Sequence, residues 1–213
     1  MNILRGALVR IGRSYARLVT DVVVRFPALW PLFRGALRKQ FDQLSPRWDS
    51  ITGEDHLAPY EAALASIVSP RRALDLGTGT GAGAFAVARR FPQAEVVGAD
   101  LAEGMLAEAR RKTPPELSGH VRFERADAAH LPYADDAFDL VGLVNMIPFF
   151  DELARVVAPR GTVVMSFSGG PETPIWVPFD RLRRELERRG FSEFAEFSAG
   201  RGVALVARKA GRA

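Results

Sequence analysis

The sequence predicts an α/β fold, a mostly parallel β-sheet with helices on both faces, preceded by a helical extension. Three observations carry this. Short apolar runs rich in valine and leucine recur and end on Asp or Gly, and a helical pattern follows most of them. Five such strand–helix units imply parallel neighbours, because a crossover helix returns the chain to the same edge. The last two runs are separated only by Gly200-Arg201-Gly202, close enough to pair as an antiparallel hairpin.

The 213 residues are enough for one domain with an appendage. With no cysteine, disulfides and thiolate metal sites are excluded, and the three histidines (His56, His120, His130) form no ligand-spaced pair. No metal is expected. The net charge of +4 is uneven: residues 1–40 carry +7 and the rest −3. The basic character therefore belongs to the N-terminal segment and points to a local anionic contact.

Taken in order, residues 3–24 read as an amphipathic helix. Leu4, Leu8, Ile11, Tyr15, Leu18 and Val22 recur at spacings of three and four, with Arg5, Arg10, Arg13 and Arg17 on the other side. Phe26-Pro27 breaks it, Trp30-Pro31 marks a second break, and a second helix is expected at 32–44. The first helix fits a lid packed on the domain, an anchor on anionic lipid, or a partner-binding element. No run approaches the roughly 18–20 apolar residues of a spanning helix, and arginines interrupt any secretory pattern. A cytoplasmic protein is expected, with peripheral membrane contact through residues 3–24 and no nucleic-acid partner. Residues 1–56 form the extension and 57–213 the ligand-binding domain.

Within that domain the pattern predicts a helix at 57–68 and a strand at 72–76. A glycine turn follows, then a helix running through Phe91. Strands at 95–99, 120–125, 138–144 and 162–167 alternate with helices at 103–112, 149–157 and 179–189. Strands at 193–198 and 202–208 close the chain. Ligands of such sheets bind at the C-terminal strand ends, where strand order reverses.

Those ends carry the chemistry. Ala73-Leu74-Asp75-Leu76 runs into Gly77-Thr78-Gly79-Thr80-Gly81, a turn whose bare backbone brings N–H groups close to a ligand. Gly77, Gly79 and Ala82 also satisfy a relaxed dinucleotide pattern, so this stretch alone does not separate NAD from other nucleosides. Asp75, two residues earlier, can accept from the ammonium of an amino-acid ligand, a group NAD lacks. Asp100 ends the second strand and suits two ribose hydroxyls. Asp127 ends the third and suits an adenine amine.

Four stretches, ALDLGTGTG, VVGADLAEGMLAEAR, FERADAAHLPYADDAFDLV and DELARVVAPRGTVVMSF, resemble the class I S-adenosylmethionine (SAM)-dependent methyltransferases. The resemblance implies a Rossmann-like, doubly wound sheet of seven strands with the last antiparallel. It also implies SAM as methyl donor and S-adenosylhomocysteine (SAH) as product. It would put Gly77, Thr78, Gly79 and Gly81 at the methionine part, Asp100 on the ribose, Asp127 and Ala128 near the adenine, and Leu101 and Met105 against the adenosine. Phe41-Asp42 through Trp48-Asp49 is similar to a segment of the quinone-biosynthesis branch, whose aromatic residue closes over the donor. Here Trp48 replaces its tyrosine, and an indole face can cover a sulfonium.

The expected activity is methyl transfer to a small-molecule or lipid-like acceptor. A SAM-binding protein without turnover and a nucleic-acid methyltransferase are the alternatives. A base is required only if the acceptor carries a proton at attack. His130, Tyr133 and Asn145 are the candidates, and Asn145 is also placed beside the donor. The rings of Phe149, Phe150 and Trp176 point to an apolar acceptor.

Overall fold

The computed structural model describes the backbone of residues 2–211 and the side chains of residues 12–211 other than Glu54. Seven strands form one sheet: β1 (Arg72–Leu76), β2 (Glu95–Asp100), β3 (Val121–Arg125), β4 (Phe138–Val144), β5 (Val157–Phe167), β6 (Phe191–Ala199) and β7 (Gly202–Lys209). Their order is β3-β2-β1-β4-β5-β7-β6. Every pair is parallel except those of β7, which runs antiparallel to β5 and β6. After β1 the chain moves outward to β2 and β3, then returns to β4 on the other side. The strand order thus reverses between β1 and β4, and the C-terminal ends of those strands frame the crevice.

The central strands are apolar on both faces because both are covered. On one face Leu74, Leu76, Val97, Val141, Leu143, Val163 and Met165 form a core with the N-terminal helices and with α7 (Phe150–Val156) and α8 (Phe179–Glu187). On the other, Ala73, Val96, Leu140 and Val164 pack against α4 (Ala58–Leu64) and α5 (Ala82–Arg90). α6 (Glu103–Lys112) follows β2 and buries Met105, Leu106 and Ala109.

The N-terminal extension holds α1 (Asn2–Arg25), α2 (Trp30–Leu44) and α3 (Trp48–Thr52). Pro31 does not break α2. It lies in the first turn, where a missing N–H costs nothing, so the helix begins at Trp30. The face that α1 buries also differs from the predicted stripe. Val19, Thr20, Val23 and Val24 are buried, whereas Tyr15 and Leu18 are 37% and 58% exposed. The side chains of Leu4, Leu8 and Ile11 lie outside the described residues. The rotation has a tertiary cause: Arg13 donates to the carbonyl of Glu172 (2.6 Å), and Arg17 to those of Pro171 (2.9 Å) and Thr173 (3.2 Å). These bonds turn the arginine face of α1 onto the loop after β5.

Two boundaries shift. The helix expected at 57–68 is a 3-10 turn at Glu54–Leu57 followed by α4, which stops at Leu64. β5 starts at Val157, and the Pro159-Arg160-Gly161 turn is a kink inside it. There Arg160 has φ 65° and the register against β4 slips.

Candidate functional site

The glycine turn leaves β1 with three residues in the left-handed region: Gly77 (φ 73°), Gly79 (54°) and Gly81 (93°). A side chain is strained there, and at Gly77 a Cβ would also stand 2.5 Å from the Met146 sulfur. The Gly77 and Thr78 N–H groups both donate to the Ala99 carbonyl (2.8 and 3.0 Å), which ties the turn to β2. Gly81 caps α5 from below and does not line the cleft.

Asp75 is buried under this turn. It accepts from the Thr78 hydroxyl (2.6 Å) and from the Ala84 N–H at the start of α5. Burial pushes its carboxyl up to about 6, against those two hydrogen bonds, and the Asp100 charge adds to the rise. Gly83 has no room for a Cβ, which would lie 2.6 Å from an Asp75 oxygen.

At the end of β2, Asp100 accepts from the Gly79 N–H and the Ala102 N–H, each at 2.9 Å. Burial raises its carboxyl, with the backbone N–H groups of Ala102, Gly79 and Leu101 opposing. Each carboxylate oxygen has two acceptor sites, so Asp100 keeps capacity for two hydroxyls of a ligand. Leu101, Met105, Ala126 and Ala128 wall the same side of the cleft.

The extension forms the opposite wall. The Trp48 indole nitrogen lies 3.3 Å from where a Gly79 Cβ would stand, and Phe41 meets that ring edge-on at 5.5 Å. Two aspartates clip this segment down. Asp42 accepts from the Gly104 N–H at the start of α6 (2.9 Å). Asp49 accepts from the Thr80 hydroxyl (2.6 Å) and pairs with Lys112. Neither aspartate was predicted to act here; their places in the Phe41–Asp49 segment were the available signal. The cleft between the walls holds about 1280 Å³ of empty space including its open mouth. A bare-backbone cradle, a strand-end acid with spare acceptor capacity and apolar walls beside it fit a ligand that joins an amino acid to a nucleoside.

Comparison with known proteins gives the family. A methyltransferase-domain family model matches residues 73–161. The demethylmenaquinone methyltransferase of Clavibacter sepedonicus is 35% identical over 193 residues, covering 83% of this chain and 71% of that protein.

The chain belongs to the SAM-dependent methyltransferases.

The demethylmenaquinone methyltransferase of Thermus thermophilus is 44% identical over 147 residues, 62% of this chain and 66% of that protein. The chain thus spans just under two thirds of that relative's length, and 59% of the Deinococcus radiodurans one. In fold, this methyltransferase is similar to the phosphoethanolamine N-methyltransferase 2 of Haemonchus contortus solved with SAM. The TM-score is 0.62 at 17% identity, over 79% of this chain and 57% of that one.

Within this methyltransferase the predicted donor residues Asp75, Gly77, Thr78, Gly79, Asp100, Leu101, Met105, Ala128, Asn145 and Trp48 come together around one cleft. Asp127 does not line it. Its carboxylate accepts from the Trp30 indole N–H (2.8 Å), from Arg34 (3.1 Å) and from the Ala129 N–H (3.1 Å), which fastens α2 to the end of β3. It borders a separate side groove with Arg34, Arg38 and Arg125.

The three candidate bases are placed differently from one another. His130 is exposed and outside the cleft lining. Tyr133 is also outside it, donating its hydroxyl to Glu124 (3.0 Å) and meeting Phe138 edge-on; burial and the Glu124 charge push its hydroxyl well up. Asn145 lines the cleft at φ 51°, but its amide exchanges hydrogen bonds with Ser168 (2.8 and 2.9 Å). Of the three rings expected around the acceptor, only Phe149 lines the cleft. Phe150 is buried under Arg189, and Trp176 meets Phe167 edge-on and Phe179 at a tilt. The apolar lining comes instead from residues far apart in sequence, including Val19, Trp30, Leu37, Met146 and Ile147. His56, for which no role was predicted, lies in the lining as well.

Proposed function

We propose that this methyltransferase methylates an apolar, quinol-like small molecule. One observation carries the reading: the cleft at the glycine turn is also lined by the apolar side chains of Val19, Trp30, Leu37, Met146, Ile147 and Phe149. The named activity of the Thermus and Clavibacter relatives supports it.

SAM supplies a methyl group already activated by its sulfonium, so the protein's work is to bind and align. In this reading Asp75 takes the ammonium of the amino-acid end and Asp100 the ribose hydroxyls. Leu101 and Met105 pack the adenosine, and the Trp48 face covers the cationic sulfur. Trp30, Ile147 and Phe149 exclude water around the acceptor.

Peripheral contact with an anionic membrane belongs to the same reading. Leu18, Phe26, Leu29 and Leu32 are 58%, 53%, 38% and 74% exposed along the end of α1, the turn after it and the start of α2, and the Arg25 guanidinium lies over the Phe26 ring. An apolar patch with a cationic rim fits a lipid surface that also dissolves the acceptor. No helix among the described residues is long and apolar enough to cross a membrane.

The test is methyl transfer from SAM to a short-tailed demethylmenaquinol in micelles, read as the mass gain of one methyl and formation of SAH. The wild type should turn over. Asp100→Ala should weaken SAM binding by about 1–3 kcal/mol. SAM binding without product would overturn the acceptor assignment, and product from a malonyl thioester instead would favour a carboxylate acceptor. A malonyl-[acyl-carrier protein] O-methyltransferase of Halorhodospira halophila is 37% identical over 152 residues, 66% of this chain and 50% of that protein.

A further inference from the structure

We propose that His56 is the catalytic base of this site, a neutral imidazole that takes the hydroxyl proton of an aromatic acceptor on Nε2. The proposal rests on the quinol-like reading above.

His56 lies in the 3-10 turn between α3 and α4, and its ring is half-buried. It lines the same cleft as Trp48, Thr52, Gly77, Thr78 and Gly79. Its Nδ1 is 2.7 Å from the Gly53 carbonyl oxygen. A carbonyl can only accept, so Nδ1 carries the hydrogen and the neutral ring holds its lone pair on Nε2. The backbone is shaped to make that contact. Gly53 sits at φ 78° with nothing within 4 Å of where its Cβ would be, so glycine serves the turn rather than the packing.

The other ionisable groups of the cleft cannot do this work. The titratable side chains lining it among the described residues are Arg38, His56, Asp75 and Asp100. A guanidinium does not release its proton in a protein. The Asp75 and Asp100 carboxylates are committed to hydrogen bonds with the turn and the strand end, under the donor. His56 is on the wall formed by the extension and shares the cleft lining with Trp30, Met146, Ile147 and Phe149.

The charges around the ring also suit the task. Asp49 of α3 interacts electrostatically with His56 and is itself held by Thr80 and Lys112; Asp55 is adjacent in the turn, and Arg38 stands on α2. The Gly53 carbonyl is the third group that orients the ring, as a hydrogen-bond partner does behind other catalytic histidines.

In the step, the acceptor's O–H bond breaks and its proton passes to Nε2. The freed electron pair moves through the ring to the neighbouring carbon, which forms the new bond to the methyl carbon. The pair of the broken carbon–sulfur bond stays on sulfur, leaving a neutral thioether. When aromaticity returns, the displaced ring hydrogen leaves as a proton to water and the imidazolium gives its proton back to the acceptor oxygen, so the methylated quinol forms with one net proton released.

His56→Gln tests this with three readouts. SAM affinity by calorimetry should stay within about twofold of the wild type. Methylation of short-tailed demethylmenaquinol at saturation should fall about 10²–10⁴-fold, and the residual rate should climb with pH as the acceptor ionises in solution. In the wild-type SAH complex, adding that quinol should move the His56 ring resonances and leave those of His120 and His130 in place. A variant rate within about threefold of wild type would overturn the proposal, as would SAM affinity falling in step with the rate or an unmoved His56 signal. Wild type that binds SAM yet makes no methylquinol would overturn the quinol reading, and this proton transfer with it. That result is distinct from an active wild type with an equally active variant.

Discussion

Replacing Asp75 by Asn should abolish a proton linkage in SAM binding. In the free protein, burial holds the Asp75 carboxyl at about 6 instead of 3.8, opposed only in part by the Thr78 hydroxyl and the Ala84 N–H. That rise corresponds to about 3 kcal/mol between the charged and neutral forms. The ammonium of SAM favours the charged form and pulls the carboxyl back toward its ordinary range. Up to about 100-fold in affinity is therefore tied to one proton. The direction follows. Below pH 6 the free protein must release a proton to bind, so SAM affinity should fall by up to about tenfold per unit as pH drops from 6 toward 4. Above about pH 7 this linkage contributes nothing further. Stability of the free protein runs the other way. Between about pH 4 and 6 the folded state holds the proton more tightly than the unfolded chain, so stability falls as pH rises through that window. Calorimetry at pH 5.5 in buffers of different ionisation enthalpy should register release of about three quarters of a proton in the wild type and none in Asp75→Asn. The variant should also bind SAM about 10–100-fold more weakly at pH 7, having lost a charge-assisted bond. Wild-type affinity flat from pH 4.5 to 7, or the same slope kept in the variant, would refute the reasoning.

Two further outcomes are expected. Trp30→Phe removes the indole N–H from Asp127, a contact worth about 1–3 kcal/mol. It should speed tryptic cleavage at Arg34 and Arg38 about tenfold while SAM affinity changes less than threefold; unchanged cleavage would mean that Asp127 does not hold α2. Replacing Leu18, Phe26 and Leu32 together by serine should weaken binding to phosphatidylglycerol-containing vesicles on the order of 100-fold, since each ring or branched chain buried in lipid contributes about 1.5–3 kcal/mol at most. Equal sedimentation of variant and wild type would show that this patch does not face lipid.

The glycine turn and its strand-end acids were readable because their signals are local. Strand period, a glycine turn and an acid at a strand end are set by residues within a few positions of one another, so Asp75, Gly77, Gly79 and Asp100 were found without a tertiary contact. The apolar lining of the cleft was not readable in that way. His130 and Tyr133 were named from their place after β3, yet neither lines the cleft, while His56 reaches it from a turn that no motif marks. The rotation of α1 shows the reason most plainly. Val22, Val23 and Val24 leave that stretch of helix apolar on several sides, so periodicity selects no unique buried face. Arg13 and Arg17 decide it by reaching carbonyls more than 150 residues away in the chain. Asp127 follows the same logic: its strand-end position was legible, but Trp30 and Arg34, over 90 residues earlier, take its oxygens.

By itself the sequence determined the sheet, the glycine turn with its strand-end acids, and the basic, apolar character of the extension, because each arises from short-range pattern. Only the tertiary structure decided which face of the extension closes the cleft and which histidine lies within it. Those outcomes depend on hydrogen bonds and packing between segments far apart in the chain, whose meeting no local period encodes.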